Sequence, residues 1–474
     1  MKIIVLLLYI LGIYLIGAIA SRKTKTTSDY LLGNRNLNTY TTAFGVGASD
    51  MSGWLMMAIP GAILTYGVSN IWILIGVATG AYANWRIVGK RLRNYTEKYG
   101  NALTIPCYLS NRFNDNTNAI RIATGAILLI FFTVYTASGL IACSIIVQNE
   151  FGISYHYALL ISAFIIVIYT SIGGFIAISW IDVFQGLLML VAIIAVPVVT
   201  VQHFGGIESA LDTLAEHNIN FSDPFKGNTT IEIVSMVGWG LGYFGQIHIL
   251  LRFMSAKSSK VIDSSRKICM TWMIMALTGA AFIGLFGAAL FAQNPLENPE
   301  TIFFKSADLL FPTWASGILL AAVFSAIMST VSAQLLASSS AIVEDISLQF
   351  SKKDFNDKTR LTLNRVAVLL IMVAASSIAY NPKSNILTLV AYAWAGLGAS
   401  FGPVIVMSLY WKNMTKLGAV LGIITGGLTV ILWKNLVNLH TILSIYEIIP
   451  AFILSCIAIV VGSKIESLNR KTST

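Results

Sequence analysis

Asp50 is the residue of this chain best placed to do chemistry. It is a carboxylate within a long uncharged stretch, among small neighbours: Gly45-Val-Gly-Ala-Ser-Asp-Met-Ser-Gly53, then Pro60-Gly61. Glycine and serine weaken a helix interior. A helix that opens at membrane depth must line a protein cavity, where its freed carbonyls coordinate a cation. A nearby carboxylate adds the charge that a sodium ion favours. The alternative is a kinked packing helix with Asp50 hydrogen-bonded to backbone. A second interruption is Gly238-Trp-Gly-Leu-Gly-Tyr-Phe-Gly-Gln-Ile-His248, with four glycines in eight residues. Trp239 and Tyr243, spaced i,i+4, would share a helix face. This suits a pocket with an aromatic wall and free amides for a carboxylate, although a tight helix seam would use the same glycines. His248 reads as a hydrogen-bonder at the helix end.

A third polar region is Ser325-Ala-Ile-Met-Ser-Thr-Val-Ser332 followed by Ser338-Ser339-Ser340. Hydroxyls on an uncharged helix bond to i−4 carbonyls, join helices or ligate a hard cation; residue types alone leave these open. Of the 21 acids, only Asp50 and Asp182 fall well inside apolar stretches. Intramembrane acids are functional candidates by default. Glu232 and Glu447 fall near the ends of theirs and read as interfacial carboxylates.

The elements that must position these residues follow from composition. The chain has 474 residues, 56% hydrophobic and 11% charged, with a mean hydropathy of +0.75. Soluble domains carry roughly 25% charged residues. Residues 51–85, 122–149, 151–181, 268–296, 309–343 and 384–411 contain no Asp, Glu, Lys or Arg, whereas a spanning helix needs about 20 apolar residues. Lipid-facing backbone must satisfy its own hydrogen bonds, and the alternating segments of about 10 residues that make a barrel are absent. The chain is therefore an all-α integral membrane protein, with the lipid bilayer as its surroundings. The net charge of +10 is spread over short loops, which argues against a nucleic-acid partner. Cys107, Cys143, Cys269 and Cys456 have no metal spacing and read as small apolar residues.

Apolar blocks between charged or turn-rich breaks give about 13 transmembrane helices. They lie near 3–20, 38–66, 70–88, 120–147, 156–173, 177–202, 230–252, 267–293, 311–343, 362–381, 386–411, 415–436 and 446–466. Gly173-Gly174 marks the turn between the fifth and sixth. With the N-terminus outside, 26 of the 31 Lys and Arg fall on the inner side, as the positive-inside rule requires; the C-terminus is then cytoplasmic. Ala18-Ile19-Ala20 resembles a signal-peptide cleavage site, but Arg22, Lys23 and Lys25 follow at once, and a retained first helix fits the charge pattern better.

The interrupted second and seventh spans are five helices apart. Each would open a five-helix unit, and because five is odd the two units run in opposite directions. This is the 5+5 inverted-repeat transporter core, with its site between the broken helices. The expected organisation is an extra N-terminal helix and loop (1–37), a first repeat (38–202), an external loop and second repeat (203–411), and two C-terminal helices with a tail (412–474).

In these motifs the chain resembles the bacterial sodium/proline symporters of the sodium/solute symporter family. The stretches concerned are Gly47-Ala-Ser-Asp-Met-Ser-Gly-Trp54, Phe131-Phe-Thr-Val-Tyr-Thr-Ala-Ser-Gly139, Met236-Val-Gly-Trp-Gly-Leu-Gly-Tyr-Phe-Gly245, Met328-Ser-Thr-Val-Ser332 and Tyr392-Ala-Trp-Ala-Gly396. The resemblance implies a bacterial cytoplasmic (inner) membrane protein that imports a small amino acid with sodium, L-proline foremost, by alternating access. It implies sodium ligation by the backbone carbonyls of Ala48, Met51 and Ala326 and the hydroxyls of Ser329 and Thr330. Asp50 would support coupling, with Ser52 and Gly53 shaping the break. Tyr135, Trp239 and Tyr243 would contact substrate, and Arg35 and Asp182 are candidates for gating or structural support. Sodium is the coupling ion, and no other cofactor is implied. One departure is Gly245-Gln-Ile247-His, where the family commonly reads Gly-Gln-Pro-His; losing that proline should change the bend of span seven.

Other classes fit less well. A channel needs a continuous polar pore, but the polar residues cluster. No catalytic constellation for an enzyme stands out, and the tail beyond Gly462 is too short for a signalling domain. The same machinery serving another small organic solute, or a proton in place of sodium, is the nearest alternative.

Overall fold

Uncharged runs leave the backbone no partner but itself, so they wind into helices that local signals start and stop. The computed structural model describes residues 1–22, 24, 26–217, 219–347, 356–381, 385–437 and 444–472. Lys23, Lys25, Lys352, Lys353 and Lys383, which enter the charge balance, lie outside the described residues. The helices are α1 (Lys2–Ser21), α2 (Thr27–Leu32), α3 (Thr39–Asp50), α4 (Ile59–Tyr66), α5 (Ile71–Asn84), α6 (Lys90–Lys98), α7 (Ile105–Arg112), α8 (Ala119–Phe151), α9 (Tyr155–His203) and α10 (Ile207–Glu216). There follow α11 (Thr230–Val237), α12 (Ile247–Ser255), α13 (Ser259–Leu290), α14 (Ile302–Leu310), α15 (Thr313–Ser340), α16 (Asp357–Ile378), α17 (Ile386–Tyr410), α18 (Lys416–Val437) and α19 (Ile448–Thr472). Asn38 caps α3 by accepting from the Thr41 amide, and Thr229 and Glu232 form a capping box on α11. Gly152 ends α8 in the left-handed conformation.

Each expected span has a helical counterpart, yet length and composition qualify ten helices as spans among the described residues, or eleven if Thr230–Gly245 and Ile247–Ser255 are one bent span. The difference from 13 has a local cause. Span two is cut beyond Asp50, leaving α3 with 12 residues. Spans five and six form one 49-residue helix, α9, broken at Gly174 with φ 58° and ψ −168°. A left-handed residue inside a helix needs glycine, so the expected Gly173-Gly174 turn exists as this kink.

The core is organised around α15, buried along nearly its whole length and packed on α1, α3, α8, α9 and α16. Both interrupted spans lie beside it. A π turn, Trp54–Ala58, links the break of span two to α4. Span seven contains a 3-10 segment, Gly238–Gly245, pressed between α5 and α17. Its glycines permit that approach: a Cβ on Gly242 would lie 1.8 Å from Trp394 Nε1, and one on Gly240 2.3 Å from the Gly76 carbonyl. The glycines thus do make a tight seam, in a stretch where the α-helix is also opened.

Candidate functional site

Asp50 is the last residue of α3, and Met51 beyond it leaves helical geometry with ψ 86°. The Met51 amide still bonds to Gly47, whereas the ladder resumes only where the Leu55 and Met56 amides reach the Ser52 carbonyl. The carbonyls around the break are thereby released from regular helix bonding. That of Asp50 takes the Trp54 indole N–H at 2.9 Å. Ser52 Oγ accepts weakly from the Trp54 amide at 3.4 Å. Gly53 lies against α8, where an added Cβ would meet that of Ala142 at 3.0 Å.

Alongside this break runs α15. Ser329 Oγ donates to the Ala48 carbonyl at 2.7 Å and lies 3.0 Å from the Ala326 carbonyl. Thr330 Oγ1 is 3.5 Å from Ala48 and 3.2 Å from Ala326 oxygen. Four of the five expected cation ligands therefore converge; Met51 lies at the break itself. The remaining hydroxyls of α15 behave differently. Ser332, Ser338, Ser339 and Ser340 bond back to carbonyls three or four residues earlier in their own helix. Ser325 also reaches Tyr9 on α1, at 2.9 Å.

Asp50 is not a backbone-bonded kink residue. Its Oδ2 accepts from the Tyr243 hydroxyl at 2.5 Å, which ties the two interrupted spans together, and its Oδ1 is buried with no partner. Tyr243 stands edge-on to Trp394 at 5.0 Å, and Trp239 stacks on Trp394 and Tyr446 at 6.4 and 5.6 Å. Trp394 Nε1 donates to the Trp239 carbonyl at 2.7 Å. The aromatic wall thus includes Trp394 on α17 and Tyr446 just before α19, which sequence reading did not enlist. Tyr135, on α8, is buried with its hydroxyl unpartnered.

Arg35 lies away from this centre, on the face that carries the basic loops. Its guanidinium donates to Asn101, Thr96 and the carbonyls of Met254 and Ala102 at 2.6–3.1 Å. The Leu37 amide and carbonyl bond to Ser255 and Lys257. This fastens the end of α12 to the segment leading into α3. Burial and neighbouring Arg93 lower Arg35 to about 10, so it stays a cation at neutral pH.

Asp182, on α9, is bound to Arg252 of α12 at 2.7 Å, both side chains being at most 1% exposed. Arg252 also donates to Ser179 at 2.6 Å and lies 4.5 Å over the Phe175 ring. Sequence reading counted Arg252 among inner-loop charges; its position only five residues after Ile247 in an apolar helix was the available signal.

One expectation is corrected. His248 is no helix-end hydrogen-bonder: it is 1% exposed, and neither ring nitrogen has a partner. It sits edge-on to Phe132 and Tyr135, 5.7 and 6.1 Å away. Span seven bends by 45° with Ile247 at the position where the family commonly has proline. Gln246, with φ −76° and ψ 95°, already breaks the helix, and Ile247 is the first residue of α12, where proline is favoured but not needed.

The family profile described as Sodium:solute symporter family matches residues 30–426. The sodium/proline symporter of Escherichia coli (strain K12) is 46% identical over 461 residues, covering 96% of this chain and 91% of that protein. The high-affinity proline transporter PutP of Bacillus subtilis (strain 168) is 46% identical over 452 residues, covering 94% of each. A solved structure of a Na+-coupled sialic acid symporter in a substrate-bound outward-open state superposes with a TM-score of 0.82 at 18% identity, covering 98% of both chains. At that identity the likeness is one of fold.

Proposed function

The chain belongs to the sodium:solute symporter family, and on that premise we propose that it imports L-proline together with sodium across a bacterial cytoplasmic membrane by alternating access. The observation that carries this reading is the convergence of the Ala48 and Ala326 carbonyls with the Ser329 and Thr330 hydroxyls beside the opened second span. Carbonyl and hydroxyl oxygens suit a hard monovalent cation, and the set lies on two helices that can separate. Met51 completes the sodium ligands with its carbonyl, and Ser52 and Gly53 keep the break open.

Sodium, in this reading, replaces the hydroxyl–carbonyl bonds that join α3 to α15 and so fixes the break. Asp50 transmits this to the substrate wall through its bond to Tyr243. Trp239, Tyr243 and Tyr135 enclose the proline ring. The N-terminus lies outside and the C-terminus in the cytoplasm, so the Arg35 contacts belong to the inner closure, and Asp182 anchors the inner half of span seven. Residues 38–202 and 203–411 act as the two inverted repeats.

One sodium suffices energetically. Moving one charge through ~100 mV releases roughly 2.3 kcal/mol, and a tenfold sodium gradient adds about 1.4 kcal/mol. Together they sustain about a 500-fold proline gradient at full coupling. The test is proline uptake into proteoliposomes: an inward sodium gradient should drive accumulation, abolished by collapsing that gradient. Uptake indifferent to sodium would overturn the mechanism.

A further inference from the structure

A zwitterion buried in protein needs donors for its carboxylate and acceptors for its ammonium group. The residues assigned above supply mostly aromatic surface. Unpartnered buried polar atoms lie next to them. His248 has two ring nitrogens without a partner, and Gln246 has its carbonyl oxygen Oε1 in the same condition; both residues are at most 1% exposed. Such groups are rare in folded proteins, and each requires an explanation.

Their placement provides one. His248 is held between Phe132 and Tyr135 by edge-on ring contacts at 5.7 and 6.1 Å, and Tyr135 is itself a proposed substrate contact with an unpartnered hydroxyl. Gln246 donates its amide to the Trp394 carbonyl at 3.2 Å, which orients the carboxamide and leaves Oε1 as the free acceptor. Trp394 in turn contacts Trp239 and Tyr243. The two orphaned groups are therefore joined by direct contacts to both sides of the aromatic wall. They also flank the start of α12, where the Ile249 and Leu250 amides bond to the Gln246 carbonyl, leaving those of Ile247 and His248 without an intrahelical acceptor at an end whose positive dipole favours an anion.

We propose that His248 donates a ring N–H to the carboxylate of the bound solute, while Gln246 Oε1 accepts from its ammonium group. The assignment deepens the proline-import reading and rests on it. A neutral imidazole offers one N–H donor, enough for a carboxylate that also faces the Ile247 and His248 amides at the start of α12. Phe132 and Tyr135 fix the ring, so that the donor is aimed before the solute arrives. Without solute both residues carry unmet hydrogen-bonding capacity, and binding a zwitterion removes that deficit.

The test is radiolabelled L-proline uptake in proteoliposomes, with prolinamide (no carboxylate) and tetrahydrofuran-2-carboxylate (no ammonium) as competitors. His248→Phe keeps the ring and removes both nitrogens; His248→Leu serves the same purpose should His248→Phe fail to insert. The expected result is a rise of about tenfold or more in half-saturating proline, since hydrogen bonds to charged groups are the strong ones. The preference for proline over prolinamide should collapse. Half-saturating sodium, measured at saturating proline, should move less than about threefold by the same reasoning, because neither His248 ring nitrogen bonds to a proposed sodium ligand. His248→Gln, which keeps a donor, should recover most of the preference. Gln246→Leu should instead erase discrimination against tetrahydrofuran-2-carboxylate. A stably inserted His248 variant with unchanged half-saturating proline and unchanged preference over prolinamide would overturn the assignment. Sodium-independent proline uptake by the unmodified protein would refute the coupling but leave these preferences measurable; absence of any proline uptake would overturn the function proposed above, and this assignment with it.

Discussion

Removing either partner of the Arg252–Asp182 pair should destabilise the protein far more than removing both. The two side chains meet at 2.7 Å and are at most 1% exposed, so a lone survivor could not recover hydration. With charge centres about 4 Å apart and an effective dielectric of about 20, the attraction is about 4 kcal/mol. Breaking buried pairs by deleting one member costs about 3–5 kcal/mol, whereas replacing both is often neutral. Asp182→Asn and Arg252→Met should each lower stability by about 3–5 kcal/mol. The double variant should lose less than either single one, a coupling of at least about 2 kcal/mol. Arg252→Met also gives up the Ser179 bond and the contact with Phe175, so it should be the worse single change. Reversible unfolding of purified protein in mixed micelles with rising denaturing detergent measures all four proteins. Additive losses in the double variant would refute the reasoning, because they would mean that each charge finds other compensation.

Three further outcomes follow from the geometry. Ser329→Ala and Thr330→Ala should each raise half-saturating sodium by about 10- to 100-fold, whereas Ser338→Ala and Ser339→Ala, whose hydroxyls bond within α15, should leave it unchanged in sodium-titrated uptake. Glu300, buried in the loop before α14 and bonded to the Ile386 and Leu387 amides, is pushed up to about 7 by desolvation from the ordinary 4.5. An acid raised in the folded state contributes stability below its unfolded value and loses it as pH rises through the folded one, here about 2–3 kcal/mol between pH about 4.5 and about 7. Glu300→Gln should flatten that slope in thermal unfolding across the window. Gly242→Ala should abolish accumulation or uptake, because its Cβ would fall 1.8 Å from Trp394 Nε1, whereas Gly12→Ala meets nothing within 4 Å; membrane abundance and uptake compare the two.

Charge depletion and the lengths of uncharged runs made the membrane class legible from sequence. The two interruptions were visible as small residues where a spanning helix wants bulk. The structure brings these two interruptions together through the Tyr243–Asp50 bond. Which hydroxyls face the break was not legible: Ser329 and Ser332 are of one type on one helix, and only the position of Ala48 across the interface separates them. The expected cation ligands came from the resemblance rather than from spacing. Arg252 was misplaced because a basic residue near a span end looks like a loop residue until its partner on another helix is known. His248 misled for a similar reason: span seven reads as continuous, but the break at Gln246 makes this histidine the second residue of a new helix. The number of spans by length and composition came out lower because breaks and kinks divide apolar runs in ways that composition does not register.

The 3-10 stretch of span seven also has a mechanical meaning. A 3-10 helix rises about 2.0 Å per residue against 1.5 Å for an α-helix. Over the eight residues Gly238–Gly245 the stretch is therefore about 4 Å longer than its α-helical equivalent and is wound by about 160° more. Trp239 lies at its start and Gln246 just beyond its end. A local change of winding would shorten the helix like a screw and turn one end of the aromatic wall against the other, with no hinge loop required. The glycines that let this segment nest against its neighbours leave few side chains to resist such a turn.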